Sequence, residues 1–485
     1  MASTGSTLAR LAAVSGGAVV GDDTIRIGDV THDSRQVGPA TLFVAVPGEH
    51  HDGHAYVPVA VASGAPAVMV EHEAALGVPQ LVVGNTRVAM APVSAEVHGH
   101  PSSRCAVVGV TGTNGKTTVT HMVEAIAAAS GRVSGLIGTV HTRVGGDNIP
   151  NTRTTPEAPD FQRLLATMVE AGAAIVAAEV SSHALQMHRV DATVFAVAAF
   201  TNLSQDHLDF HGDMESYFAA KARLFESERS RRAVIWVDDP AGARLRANLA
   251  IPCLTVGSNA DVMATGRQVR VDGSTFRLST PDGERMIDLP IGGGFNVDNA
   301  AVAAGCALSL GIGLDAVAAG LSGFEGVPGR FEVVSDDAVQ VVVDYAHTPA
   351  GIGEAISAAR AAGSGRVIAV FGAGGDRDRA KRPHMGAAAG SADVVVVTSD
   401  NPRHEDPEAI VDEVMAGLGD RASVHREVDR RRAIFWAIDE AGDGDMVLIL
   451  GRGHERGQEI AGRSVPFSDR LVAREALASR RGTRP

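Results

Sequence analysis

Gly109-Val-Thr-Gly-Thr-Asn-Gly-Lys-Thr-Thr118 sets a glycine-rich turn between two regular patterns. The apolar run Cys105-Ala-Val-Val-Gly-Val110 leads into it and reads as a buried strand. A helical pattern over 117–129 leaves it and stops at Gly131. Strand, turn and helix make a cradle for phosphate. Gly112 and Gly115 let backbone N–H groups close on an anion, and the helix N-terminus adds partial positive charge. Lys116 can reach terminal phosphates, and the Thr117 hydroxyl can ligate Mg²⁺. Thr113, Asn114 and Thr118 complete the loop. The strict phosphate-loop pattern has glycine at 110, where this chain has Val110 and carries the glycine at 109. The motif is a variant, and nucleotide binding is its expected role.

Composition narrows the setting. The chain has 485 residues, a length that suits about three domains. A net charge of −14 argues against a nucleic-acid binder, since phosphate backbones require a basic face. Cys105, Cys253 and Cys306 stand singly in apolar segments and read as small buried hydrophobes of a reducing compartment. No apolar run is long enough to span a membrane, and the N-terminus lacks a basic start with a long apolar segment. The expected location is the cytoplasm, and the expected state a monomer. Only three of the 43 Lys and Arg residues are lysines, Lys116, Lys221 and Lys381. A chain that uses Arg wherever a surface cation would do reserves lysine for places Arg cannot serve. Lys116 suits a phosphate cradle, and Lys221 suits a site needing an amine that can lose its proton. Lys381 has no argued role beyond opening a helix.

The alternation of apolar runs and helical patterns predicts an α/β protein with three domains. Residues 1–104 form a small α/β unit with a strand at 41–46, a helix near 57–63 and a strand at 67–70. Its loops Thr31-His-Asp-Ser-Arg35 and Pro47-Gly-Glu-His-His-Asp-Gly53 are polar, and the run 98–104 reads as a linker. Residues 105–328 form the central unit, a mostly parallel sheet with strands at 135–140, 174–180, 194–200 and 233–237. A period-two stretch over 269–278 predicts a β-hairpin at the sheet's margin. Glycines and a proline at 326–330 predict a hinge. Residues 329–485 form a Rossmann-like unit with strands at 339–343, 367–371, 393–397 and 446–450, its polar motifs following strand ends.

Two strand ends of the central unit carry chemistry. Glu179-Val-Ser-Ser-His183 follows one, and Thr201-Asn-Leu-Ser-Gln-Asp-His-Leu-Asp209 the other. Both open on the edge that holds the phosphate loop, so Glu179, Asp206 and His207 can face the terminal phosphate, an arrangement suited to a hard divalent metal. The same spacing also suits plain N-capping at two strand–helix turns. Lys221 lies in the amphipathic helical run Tyr217-Phe-Ala-Ala-Lys-Ala-Arg-Leu-Phe225.

Together with Asp344-Tyr-Ala-His-Thr-Pro349, these motifs resemble the Mur ligases of peptidoglycan synthesis over essentially the whole chain. The resemblance implies a UDP-sugar domain, a central ATPase domain and a mobile C-terminal domain for an incoming amino acid. It implies ATP-dependent amide-bond formation on the D-glutamate γ-carboxylate of UDP-N-acetylmuramoyl-L-alanyl-D-glutamate, through an acyl phosphate. It places a carbamylated lysine at Lys221, formed from CO₂, and metal contacts at Glu179 and His207. Asn296 and Asn299 fall where adenine is held, and Arg330 with Asp344 where nucleotide phosphate and ribose are contacted across the hinge. Ser34, Glu49, His50 and His51 fall beside the uracil end. Thr154, Thr155, Ser181 and Arg189 fall where the UDP-muramoyl peptide is gripped. Arg153 and Met187 depart from the Asn and Gln of some members at these positions.

Asp400-Asn-Pro-Arg403 resembles the motif associated with meso-diaminopimelate. The Arg403 fork suits the far carboxylate that diaminopimelate has and lysine lacks, and like charge would repel a lysine substrate there. Arg377, Asp400, Asn401, Pro402, Gly451 and Glu455 match further contacts to the amino acid. Two rivals predict different behaviour. A ligase of the same fold would take L-lysine, or glutamate on a folate. A phosphate-loop switch or motor would hydrolyse ATP without amino-acid dependence.

Overall fold

A computed structural model describes residues 5–48, 51–149, 153–335, 338–363, 365–419 and 423–483. Glu49 and His50 lie outside the described residues. The central sheet has eight strands in the order Asp147–Ile149, Thr142–Val144, Ser134–Ile137, Ile175–Glu179, Ala106–Thr111, Val197–Phe200, Ala233–Trp236 and Cys253–Val256. The last six are parallel, and the first two form an antiparallel hairpin at one margin. Apolar runs without alternation produce this, because a parallel strand covered on both faces has no solvent side. Val108 and Val110 enter the core beneath the helices Lys116–Ala129 and Gly294–Ser309, while Val107 enters the opposite core beneath Ala158–Glu170. Each such fully buried valine stabilises the fold by roughly 1.5–3 kcal/mol relative to exposure.

The hairpin expected at 269–278 is present, yet it does not extend the central sheet. Met263–Val269, Ser274–Thr280 and Gly283–Leu289 form a separate three-stranded antiparallel sheet. Phe276, Leu278, Ile287 and Leu289 pack it onto the core shared with Gly294–Ser309 and Leu314–Ser322. The apolar side of these strands is covered by helices, so edge pairing is not needed to bury it.

The first unit is a five-stranded sheet, Ala18–Val20, Gln80–Val82, Ala67–Val70, Thr41–Val44 and Asp29–Thr31, parallel except for the first strand. The run 98–104 is no free tether. His98 is buried with Nε2 3.4 Å from Asp29 Oδ1, Pro101–Ser103 is a tight 3₁₀ turn, and the Ser102 hydroxyl accepts from the Val194 N–H at 3.2 Å. Arg163 of the central unit donates to Asp29 Oδ1 at 3.0 Å and to the Val30 carbonyl at 2.8 Å, fastening the two units together.

The third unit is a six-stranded sheet in the order Glu332–Ser335, Gln340–Asp344, Met446–Leu450, Val367–Phe371, Val394–Val397 and Ser423–Arg426, all parallel beyond the first. A bidentate pair, Arg430 with Asp469 at 2.8 and 2.7 Å, locks its last helix with neither side chain exposed. The expected hinge passes from the central unit through Gly326 and Gly329, both at positive φ, into Arg330. Among the described residues, no helix is long and apolar enough to cross a membrane.

Candidate functional site

The phosphate loop joins Ala106–Thr111 to the helix Lys116–Ala129. Gly112 (φ 150°) and Gly115 (φ 87°) adopt backbone angles that side chains disfavour. A Cβ at Gly112 would also run into the Thr201 hydroxyl, and one at Gly115 into Asn299 Oδ1. The displaced glycine of the variant motif has another cause. Gly109 belongs to the strand, where a Cβ would lie 2.6 Å from the Phe195 ring. Val110 beside it is fully buried in the core.

Around this loop the strand ends converge as their spacing predicts. Glu179 has no exposed surface, and Thr117 Oγ1 donates to its Oε2 at 3.0 Å. Thr139 donates its backbone N–H to Oε1 at 2.7 Å and its hydroxyl to Oε2 at 3.0 Å. Sequence reasoning missed Thr139, which sits in no motif. Arg330, in the segment joining the central and third units, donates to Thr117 Oγ1 at 3.0 Å, its guanidinium lying 4.4 Å from the Tyr345 ring centroid. Asp344 accepts from the backbone N–H groups of Phe331 and Ala346 at 2.6 and 2.7 Å, and burial pushes its carboxyl up despite the nearby Arg330 charge.

Lys116 Nζ curls back to the carbonyls of Gly112 and Thr113, each at 2.8 Å. Burial lowers its pKa, against the charges of Glu179 and Asp206. Lys221 is 1% exposed and donates to the same Gly112 carbonyl at 2.8 Å, with its Nζ 4.4 Å from the Tyr217 ring centroid. Burial and the Lys116 charge drive its pKa well below that of an ordinary lysine. His207 follows in a left-handed conformation, φ 55°, with Nε2 3.3 Å from Asp206 Oδ2. Burial holds its imidazole neutral, with a pKa of about 3, despite the adjoining carboxylate. Among the described residues, no three His, Cys, Asp or Glu side chains form a group that could hold a metal ion.

Lys116, Thr117, Glu179, His207, Asn299, Arg330 and Asp344 line a cavity of about 200 Å³, and the buried Lys221 side chain lies outside that lining. An adjoining cavity of about 260 Å³ continues past Asn299 and Phe295 towards Trp236 and Pro240. Asn296 has a supporting place, its amide donating to the Gly292 carbonyl at 2.7 Å and its Oδ1 accepting from Asn299 at 3.3 Å.

Thr154 and Ser181 also line the first cavity. The Thr154 and Thr139 hydroxyl oxygens lie 3.0 Å apart, and Thr155 donates to the Glu179 carbonyl at 2.8 Å while accepting from the Ser181 N–H at 3.1 Å. Arg189 pairs with Glu157 at 3.0 Å and rests on Met187 Sδ at 3.3 Å. Glu157, which no motif flagged, is a hub. Arg87 of the first unit joins it at 2.8 Å, and Arg153 pairs with its other oxygen. Burial pushes the Glu157 carboxyl up, but the three guanidiniums outweigh this and hold it below its usual value. Three guanidiniums, one of them from the first unit, thus share this one carboxylate. Ser34 opens a 3₁₀ turn capped by Asp33, and His51 closes a loop by accepting from the Gly48 N–H at 2.9 Å.

In the third unit, Asn401 donates to Glu455 Oε2 at 2.8 Å and accepts from the Glu459 N–H at 2.8 Å. Asp400 accepts from the Asn401 N–H at 2.7 Å, while its buried Oδ2 has no hydrogen-bond partner among the described residues. Gly451 lies beside it, and a Cβ there would sit 2.5 Å from that oxygen. Burial and the Asp400 charge raise the Glu455 carboxyl. Arg403 donates to the Gly375 carbonyl at 2.6 Å and pairs with Glu459 at 3.1 Å, so its fork is partly engaged within the protein. Pro402 packs against Gly375, where a Cβ would meet its carbonyl. Arg377 is exposed, and its charge reaches His183 of the central unit.

Comparison with known proteins gives this arrangement a lineage. Residues 26–108 match the Mur ligase family catalytic domain, 110–307 the Mur ligase middle domain, and 329–453 the Mur ligase glutamate ligase domain. The chain is 47% identical over 465 residues to the UDP-N-acetylmuramoyl-L-alanyl-D-glutamate–2,6-diaminopimelate ligase of Gloeobacter violaceus, covering 94% of this chain and 95% of that one. The enzyme of the same name from Aquifex aeolicus is 43% identical, covering 93% and 94%. A solved structure of a 2,6-diaminopimelate ligase superposes with a TM-score of 0.69 at 31% identity, covering 99% of this chain and all of that one. The MurF ligase of Thermotoga maritima, solved in complex with ADP, shares the fold with a TM-score of 0.68 at 20% identity, covering 94% and 98%. The chain belongs to the Mur ligase family.

Proposed function

We propose that the chain is the ATP-dependent ligase that joins meso-2,6-diaminopimelate to the D-glutamate γ-carboxylate of UDP-N-acetylmuramoyl-L-alanyl-D-glutamate, in the cytoplasm and as a monomer. One observation carries this reading. A phosphate loop, a buried carboxylate and an arginine from across the hinge meet at Thr117, with all contacts at 3.0 Å. The division at residues 104 and 328 into sugar, ATP and amino-acid domains is part of the same proposal.

ATP would lie along the two adjoining cavities, with its base beside Asn299 and Phe295 and its phosphates on the loop. Lys116 then exchanges its own loop carbonyls for phosphate oxygens, and Arg330 adds a second cation. The γ-carboxylate of the dipeptide attacks the terminal phosphorus and ADP leaves. The amine of diaminopimelate attacks the acyl phosphate, and phosphate leaves from the tetrahedral intermediate. The protein's part is positioning and charge neutralisation. Closure of the third unit through Arg330 excludes water that would hydrolyse the acyl phosphate.

The donor set suits a hard divalent cation. Thr117 Oγ1 and Glu179 Oε2 are oxygen donors at the phosphate loop, and neutral His207 stands nearby. Mg²⁺ held there would neutralise charge on the phosphates. Lys221 suits carbamylation, because burial favours its neutral amine and, among the described residues, no carboxylate forms an ion pair with it. CO₂ adding to that amine, with loss of a proton, would make a further oxygen donor.

Asp400 and Glu455 offer carboxylates for the ammonium groups of diaminopimelate, and Arg403 a cation for its distal carboxylate. The deciding experiment measures phosphate release with Mg-ATP and the UDP-dipeptide, adding meso-diaminopimelate or L-lysine in parallel. Release that needs the dipeptide and responds only to diaminopimelate is expected. Preference for lysine would sink the specificity, and indifference to both would return the chain to a plain ATPase.

A further inference from the structure

We infer that the ion pair between Lys381 and Asp206 is a clasp that couples the amino-acid-binding unit to the phosphate loop, and that Lys381 is a positioning residue for the ligation step. The inference deepens the ligase reading and rests on it. Asp206 lies in the turn after Val197–Phe200 of the central sheet, and Lys381 opens the helix Lys381–Ala389 of the third unit, 175 positions away. Lys381 Nζ donates to Asp206 Oδ1 at 3.1 Å, with the two side chains only 9% and 6% exposed. The other oxygen, Oδ2, lies 3.3 Å from His207 Nε2 and 3.6 Å from His347 Nε2, the latter again from the third unit. Beside this junction, Gln205 donates to Asp378 Oδ2 at 3.4 Å. One carboxylate of the central unit thus pairs with Lys381 and faces His347, two groups of the third.

Each end of the pair is tied to one half of the reaction. Asp206 and His207 line the same cavity as Lys116 and Thr117. At the other end, Arg382, adjoining Lys381, is anchored to Glu405 and Glu413 at 2.8 Å each and to the Gly374 carbonyl at 3.1 Å. Gly375 in turn accepts from Arg403 at 2.6 Å. The path from the phosphate loop through Asp206 and Lys381 therefore ends at the loops proposed to hold the amino acid.

The chemistry of the pair explains the residue types. A single free carboxylate oxygen in a closed space takes a compact point charge, whereas Arg382 next to it uses its fork on two carboxylates. Lys381 is the third of the chain's three lysines, and the one to which no motif gave a role. Separated, both ions need water. Paired and desolvated, they hold only while the two units keep this orientation, so the contact favours one closed arrangement over a continuum.

The test uses the full-length enzyme with Lys381→Met, Asp206→Asn and the double variant. Small-angle scattering is recorded with and without a non-hydrolysable ATP analogue and the UDP-dipeptide. Diaminopimelate-dependent phosphate release and binding of the analogue alone are measured beside it. With the clasp broken, the radius of gyration stays at its unliganded value when ligands are added. In the same variants kcat falls by about 100-fold, while in Lys381→Met, whose side chain lies outside the nucleotide cavity, affinity for the analogue alone stays within about twofold. The double variant falls no further than the worse single one, as one shared interaction requires.

Normal compaction in Lys381→Met, a kcat close to that of the parent, or losses that multiply in the double variant would overturn the inference. If a single variant does not fold because one buried charge is left alone, the double variant decides by the same two readouts. Parent enzyme that compacts but releases no phosphate with diaminopimelate would sink the ligase reading, while the scattering comparison still judges the clasp.

Discussion

Lys116 and Lys221 end on the same atom, the carbonyl oxygen of Gly112, each at 2.8 Å. Two ammonium groups on one buried acceptor repel each other. Lys221 has the lesser access to water, and burial together with the Lys116 charge lowers its pKa strongly. A neutral amine in that position can react with CO₂, which a guanidinium cannot.

The expected outcome is a carbamate on Lys221. Protein equilibrated with ¹³C-bicarbonate should show one carbamate carbon resonance, absent from Lys221→Arg, and that variant should lose about 100-fold or more in kcat. Full activity in Lys221→Arg would end the argument.

Glu179 gathers three hydrogen bonds from Thr117 and Thr139 with no exposure to water. Glu179→Gln puts an amide donor among those donors and removes the charge. Leaving buried partners unsatisfied costs about 1–3 kcal/mol of stability. The Mg²⁺ concentration giving half-maximal activity should also rise. A denaturant titration and a Mg²⁺ titration check the two effects separately, and unchanged Mg²⁺ dependence would exclude Glu179 as a metal contact.

Arg403 provides the cation proposed for the distal carboxylate. Its removal in Arg403→Ala should raise KM for meso-diaminopimelate by about 10- to 100-fold, the range of a charged hydrogen bond. KM for ATP should hold. Steady-state kinetics varying each substrate in turn would show a shared effect on both if Arg403 only supports the loop.

His454 gives a pH signature. Burial and the Arg330 charge lower its pKa from 6.5 to about 4. Above 6.5 neither the folded nor the unfolded chain protonates it. Between 6.5 and 4 the unfolded chain takes up a proton that the folded chain refuses, so stability falls as pH falls. The slope is at most about 1.4 kcal/mol per pH unit for one group. Urea unfolding of the parent and of His454→Asn across this window should differ by a shallower slope in the variant.

Arg430 and Asp469 form a fully buried bidentate pair that ties the last helix to the helix Arg430–Glu440. Asp469→Asn strands a guanidinium in the core and should cost about 3–5 kcal/mol. Loss of thermal stability without a change in affinity for an ATP analogue is the expected pattern.

What the sequence alone determined is what depends on neighbours a few positions away. The strand, turn and helix around Gly112 and Lys116, the alternation that builds parallel sheets, the strand end carrying Glu179 and the loop carrying Asp400-Asn-Pro-Arg403 all follow from local periodicity and turn chemistry. The scarcity of lysine by itself singles out Lys221. Tertiary structure alone decided the rest. It gave Lys381 its partner, made Glu157 a hub for Arg87, Arg153 and Arg189, and set Thr139 against Glu179. It also turned the hairpin at 269–278 into a sheet of its own and engaged Arg403 with Glu459. The physical reason is range. Periodicity reports which face of an element is apolar, whereas a buried ion pair depends on how whole units are oriented, and no local pattern records that.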